Sequence, residues 1–197
     1  KNYSFMGPFK EIINDVTIYR VPVIPRYSDT FLSILFFYVS YFFSNSIFIF
    51  FYSLLNINKI KHTITFCGSP VYVGFFGSFI GFITRSKTSQ WVQDIWPEAI
   101  ETTKGLKNKF IKDILSSLQN LMWRSSDILF AQSNMLNDYL KNEFCNQKIY
   151  TLYNPVRDDC YKDRLEKLIH KKKIFSYMGN IGGAQSIDYL IEAFVNS

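Results

Sequence analysis

The chain has 197 residues, enough for one full domain or for one domain and part of a second. Its 48% apolar and 19% charged content forms a core and excludes an intrinsically disordered chain. A net charge of +6 and a pI near 9.1 favour anionic partners: phosphorylated ligands, acidic lipid headgroups or nucleic acid. Nucleic acid is the weakest of these, because the lysines are scattered and no basic–aromatic platform is evident. The aromatic share of 18%, with 20 Phe and 13 Tyr, is more than a soluble domain of this size needs to bury. Cys67, Cys145 and Cys160 lack metal-ligand spacing and cannot all pair, which fits a reducing compartment. With only His62 and His170, a His-rich metal site is excluded. No secretory leader pattern stands at the start, and the opening KNYSF, without Met, carries the expectation of a preceding segment.

In chain order, VTIYRVPVIP (Val16 to Pro25) alternates and is β-branched, which predicts a strand and then a turn. Thr30 to Asn58 contains no charge and is long enough to span a bilayer. Ser33, Ser40 and Ser44 share one helical face, and Ser44-Asn45-Ser46 interrupts the apolar run. A buried core helix, a helix lying in the membrane interface and a true span all fit. The basic cluster Lys59 to His62 suits the interfacial one. HTITFC (His62 to Cys67) is a short β-branched strand ending at Gly68-Ser69-Pro70, with Ser69 placed to cap a helix and Pro70 at its first position. That helix puts Gly74, Gly77, Ser78 and Gly81 on one face, which allows close packing onto a sheet or against a membrane helix.

SQWVQD is the next strand, followed by apolar residues at helical spacing from Phe110 to Met122. DILFAQS predicts a buried strand ending at a capping serine, NMLNDYLKNEF a short helix and KIYTLYNP a further strand. This alternation argues for a parallel sheet with helices on both faces. Residues 156–172 are charged and read as an interdomain connection, after which strand Ile174 to Met178, a glycine-rich turn and a helix burying Ile187, Leu190, Ile191, Phe194 and Val195 restart the pattern. A unit only begun here is not expected to bury that apolar face by itself. The division is therefore a domain over 1–155, the connection over 156–172, and the start of a second domain over 173–197.

Two motifs carry chemistry. WVQDIWPE sets Asp94 directly after an apolar strand, at the carboxyl edge of the sheet, where open α/β folds bind ligands. Glu98 follows four residues later, so a helical turn between them aims both carboxylates into one crevice; the plain alternative is a capped helix start with Trp96 in the core. GNIGG (Gly179 to Gly183) links a strand to a helix N-terminus, where glycines and free N–H groups favour a phosphate. It lacks the Walker lysine and full dinucleotide spacing, and a ligand-free βα turn reads equally well from it alone.

Taken together, YRVPVIP, the apolar helix, the GSP turn, VQDIWPEAI, ILFAQS, LYNP and YMGNIGGAQSIDYLIEAF resemble the GT-B glycosyltransferases of family 4. The likeness is greatest to a bacterial surface-polysaccharide branch typified by L-fucosaminyltransferase-like enzymes. The resemblance implies two Rossmann-like domains facing each other across a cleft: an acceptor-side N-terminal domain, whose first strand and glycine loop are expected before Lys1, and a nucleotide-sugar domain cut short at Ser197. It implies retaining transfer of a sugar from a nucleotide donor, UDP-linked by expectation, to a polyprenyl-diphosphate-linked saccharide in O-antigen or capsule assembly. The reaction needs no cofactor or bound metal and takes place peripherally at the cytoplasmic face of the inner membrane. Asp94 and Glu98 become the catalytic candidates and Gln93 and Trp96 the acceptor side; Gly179, Asn180, Gly182, Gly183 and Gln185 cradle the donor diphosphate. Asn180 and Gln185 stand where many members carry Arg and Lys, and Gln93 where others carry His. The chain alone is expected to be inactive. The rival reading is a membrane-anchored binding or scaffold protein without catalysis.

Overall fold

Asn14 and Asp15 both adopt positive φ, at 48° and 63°. Short polar side chains tolerate this region, and two such residues in succession turn a chain back on itself as a tight hairpin. Lys10–Ile13 (β1) and Val16–Tyr19 (β2) accordingly pair antiparallel, with Ile13 opposite Val16. The strand expected over Val16 to Pro25 therefore ends at Tyr19 and belongs to this two-stranded unit, apart from the main sheet. The computed structural model describes residues 9–28, 30–68, 72–96, 108–156, 177, 179 and 187–195.

The uncharged run forms one continuous helix, Phe31–Leu55 (α1). The segment before it folds back along its first turns, with Tyr27 N donating to Ser33 Oγ at 3.1 Å and Ile24 N to Ser40 Oγ at 2.9 Å. Tyr19 packs on Phe48 and Tyr52. On another flank Tyr41 and Phe42 meet Tyr72 and Phe76 of the next helical segment, and Tyr72 Oη donates to Tyr38 O at 2.6 Å.

Four strands, His62–Cys67 (β3), Lys87–Val92 (β4), Ile128–Ala131 (β5) and Lys148–Thr151 (β6), form a parallel sheet in the order β3-β4-β5-β6. The helices between them are Val73–Thr84 (α2), Lys109–Arg124 (α3) and Asn134–Glu143 (α4). This α/β arrangement is compatible with a Rossmann-like domain. Asn108 and Ser133 cap α3 and α4, accepting from the backbone N–H three residues on. Ser69, Pro70, and Pro97 with Glu98, expected to open helices, lie outside the described residues.

Where the sequence predicts helices on both faces, the described helices that connect the strands all lie on one. The register aligns Thr65, Gln90, Leu129 and Ile149 in one row and Phe66, Trp91, Phe130 and Tyr150 in the next, so alternate rows face opposite sides. Val92, Leu129, Ala131 and Ile149 share a core with Met122 and Trp123 of α3 and with Leu136 and Leu140 of α4. Glycines of α2 lie over Thr65 and Gln90 on that same side. Crossovers of one hand that always step the same way along a sheet place every connecting helix on one face. The aromatic row lies on the other side, with Phe66 56% and Tyr150 53% exposed, and among the described residues no helix packs over it.

The glycines of α2 serve packing onto the sheet. A Cβ on Gly77 would fall 1.8 Å from Thr65 Oγ1, one on Gly81 2.1 Å from Thr88 Cγ2, and one on Gly74 2.2 Å from Met122 Sδ. Gln90, 1% exposed, then ties the layers together: its Nε2 donates to Met122 O at 2.9 Å and Ser126 Oγ at 2.7 Å. Two helices bury less than their sequence pattern predicts. In α3, Gln119, Met122 and Trp123 are buried while Phe110, Ile114, Leu118 and Leu121 remain exposed. The last helix, Ile187–Val195 (α5), has no buried residue, in keeping with the expectation that a unit only begun here cannot bury the apolar face of Ile187, Leu190, Ile191, Phe194 and Val195. A helix buries its stripe only against another layer, and no contact of α5 with another element is among the closest packings of the described chain.

Candidate functional site

The strands run in parallel, so their carboxyl ends gather along one edge, and the segments that leave them meet there. Gln93 extends the ladder by one bond, its N donating to Cys67 O at 3.1 Å, and Leu152 N does the same to Ala131 O at 2.8 Å. Beyond these bonds Gln93, Gln132 and Asn154 converge. Asn154 Nδ2 donates to Gln93 Oε1 at 2.9 Å and to Gln132 Oε1 at 3.1 Å, while Gln132 Nε2 donates to the Gln93 carbonyl. Three strand ends are thus fastened by three neutral amides. Tyr153 Oη and Thr151 Oγ1 both donate to Asn134 Oδ1 beside them, and Trp91 Nε1 donates to Leu152 O at 2.9 Å.

Asp94 follows immediately, with its side chain exposed. In the strand-end segments 93–96, 132–134 and 152–156 it is the one charged residue, so among the described residues of these segments a single carboxylate stands beside amides, hydroxyls and indole. Ile95 next to it packs against the core, and Trp96 N donates to Oε1 of the buried Gln119. These two anchors on either side of one peptide fix where Asp94 leaves the sheet. Two donors in this neighbourhood, Gln93 Nε2 and Trp96 Nε1, are buried with no hydrogen-bond partner. A buried donor without an acceptor costs about 1–3 kcal/mol, a cost that a ligand oxygen or a water molecule can relieve.

Of the residues singled out in sequence, Gln93, Asp94 and Trp96 therefore lie together at the sheet's carboxyl edge. Gly179 is described in a bend where a Cβ would come within 3.0 Å of Tyr177 Oη, so a larger residue there must displace the tyrosine. Glu98, Asn180, Gly182, Gly183 and Gln185 lie outside the described residues. The expected pairing of Asp94 with Glu98 and the donor-side cradle are in that category.

Gln132 and Asn154 carried no assigned role in the sequence, although both lie in quoted motifs, ILFAQS and LYNP. The available signal was positional. Val92 pairs with Ala131, so Gln132 leaves its strand at the same level as Gln93. An uncharged amide closing each of two adjacent apolar strands marks a polar edge.

No protein-family model matches this chain, and no curated protein is similar to it.

Proposed function

We propose that this chain is the acceptor-side part of a GT-B glycosyltransferase similar to family 4. On this reading it acts peripherally at the cytoplasmic face of a bacterial membrane on a polyprenyl-diphosphate-linked saccharide in surface-polysaccharide assembly. A UDP-linked sugar is the donor. The observation that carries the reading is the exposed carboxylate of Asp94, set at the carboxyl edge of a parallel sheet among the amides of Gln93, Gln132 and Asn154. Amides offer a donor and an acceptor on one plane, which suits the paired hydroxyls of a sugar, and a lone carboxylate among neutral groups orients one hydroxyl and accepts its hydrogen bond. As the acceptor hydroxyl bonds to the anomeric carbon on the face from which the diphosphate departs, the carbon's bond to UDP breaks, UDP leaves with the electron pair, and Asp94 accepts the hydroxyl's proton. A general base of this kind contributes about 10²–10⁴-fold. Trp96 and Trp91 supply apolar surface for the sugar's C–H face.

The test uses the encoded protein that carries this chain together with its donor-side domain. Asp94→Asn should lower sugar transfer by about 100-fold or more. Because the side chain is exposed, the variant's melting temperature should stay within about 2 °C of the parent. Full transfer by this variant would sink the assignment. A second reading, a membrane-anchored binding protein without catalysis, is favoured by α1, in whose apolar stretch Leu32–Leu55 only Ile49 and Ser53 are buried. Binding of a lipid-linked saccharide with no turnover of any nucleotide sugar would select it.

A further inference from the structure

Helix α1 leaves most of its apolar surface uncovered. Among its described residues only Ile49 and Ser53 are buried, while Phe43, Ile47, Phe51 and Leu55 are 59–80% exposed and recur at the spacing of a helical stripe. A soluble helix does the reverse, because apolar surface left in water costs about 25 cal/mol per Å². The stripe continues into a groove of about 720 Å³ between α1, α2 and α3, whose walls include Phe42, Phe50 and Phe51, Phe76 and Phe79, and Leu121. No charged side chain lines it.

The serines in its lining present no free hydroxyl. Ser46 Oγ donates to Phe42 O at 2.7 Å, Ser125 Oγ donates to Met122 O at 2.6 Å, and Ser78 Oγ lies 2.7 Å from Ser125 Oγ. With every hydroxyl proton engaged by the protein and no charge in the lining, the groove suits hydrocarbon and offers no free side-chain donor.

The helices that line the groove end at a cationic edge. Arg85 caps α2, Arg124 closes α3, and Lys59 and Lys61 follow α1. Lys87 N donates to Lys61 O at 3.2 Å, which brings the two lysine segments side by side at the strands' amino ends. Among the described residues, Asp127, held by Thr88, and Glu143 at the end of α4 also lie on this side. Phe79 to Arg85 is six residues, or about 9 Å along a helix, so a chain in the groove and a phosphate at the edge fit one lipid molecule.

We infer that the α1–α2–α3 groove seats an acyl chain of an anionic phospholipid, with Lys59, Lys61, Arg85 and Lys87 meeting its phosphate. This inference deepens the peripheral location proposed above but is read without sugar donor or acceptor, so the failure of either leaves the other standing.

The test is flotation of the chain with vesicles of phosphatidylglycerol and phosphatidylcholine, and with phosphatidylcholine alone. Binding is expected to the anionic vesicles and to fall in high salt. Lys61→Gln with Arg85→Gln should reduce partitioning about 30-fold, since each cation near an anionic surface contributes about a factor of five. Phe79→Asp and Leu121→Asp, at positions 39% and 59% exposed, should abolish retention while circular dichroism stays unchanged. As a reporter that keeps the groove apolar, the indole of a Phe79→Trp variant should be quenched by brominated acyl chains. Equal binding to both vesicle types, an indole in that variant left unquenched, or groove variants that bind like the parent would each overturn the inference. So would loss of self-association in those variants with no vesicle binding, which would assign the groove to a second copy of the chain.

Discussion

Gln90 is the most heavily bonded side chain in the buried layer, and its removal has a calculable effect. Its Nε2 bonds Met122 O and Ser126 Oγ, with longer approaches to Ser78 Oγ at 3.4 Å and Gly74 O at 3.5 Å. Gln90→Leu keeps the volume and removes these donors. Met122 O retains the Ser125 hydroxyl as a partner, so its loss is small. Ser126 Oγ, in a residue only 6% exposed, is left without its amide. Two lost hydrogen bonds at about 1 kcal/mol each, plus the orphaned hydroxyl, less the gain from an added apolar side chain, give about 2–3 kcal/mol. In a chain of this length that is a fall of about 4–12 °C in melting temperature. The assay is thermal and urea unfolding of the parent, Gln90→Leu, Ser126→Ala and the double variant. The double variant should recover about 1–2 kcal/mol, because the orphan is removed with its donor. A Gln90→Leu protein within about 0.5 kcal/mol of the parent, or strictly additive variants, would refute the network's role in joining α2 and α3 to β4.

Three further outcomes are expected. Gly77→Ala should destabilise by about 1–3 kcal/mol despite alanine's better helix propensity, and Thr65→Ala should restore part of this by removing the atoms the new methyl meets, as denaturant midpoints will register. Hydrogen bonds from the Thr88 backbone and hydroxyl, with Lys87 nearby, hold the Asp127 carboxyl below its ordinary range against a smaller opposing desolvation. The unfolded chain therefore protonates first, and the stability from Asp127 is present above about pH 4 and lost as pH falls through its lower folded value. Asp127→Asn should flatten the acid limb of a stability-against-pH curve, and an unchanged limb would count against the contact. Burial pushes the Cys67 thiol up to about 12, whereas Cys145 is exposed. A maleimide should modify Cys145 in the native protein and reach Cys67 only on unfolding, with peptide mapping as the readout.

The sheet was legible because each strand is a short apolar run bounded by turn residues; His62–Cys67 is bounded in the structure as the alternation of HTITFC predicts. The hairpin was missed because its turn is Asn14-Asp15 rather than a glycine pair, and because KEII alone has no strand-length alternation. One-sided covering was hidden by composition. ILFA is apolar on both faces and reads as fully buried, yet Phe130 belongs to the uncovered row. At the site, Asp94 was legible as a charge ending an apolar strand. Gln132 and Asn154 were not, because their meeting with Gln93 depends on three strand ends lying in register, which no local pattern encodes.

In the parallel sheet, strand order and chain order coincide. Each new strand therefore docks on an edge left by its predecessor and never inserts between partners already paired. Growth of this kind suits vectorial assembly during synthesis, since every pairing is available as soon as its second member emerges and each loop to be closed joins strands that are consecutive in the chain. The cluster that fastens Gln93, Gln132 and Asn154 is complete only when the segment after the fourth strand arrives. A nascent chain halted before Asn154 would therefore carry Asp94 beside Gln93 and Gln132 but without the amide that joins their side chains.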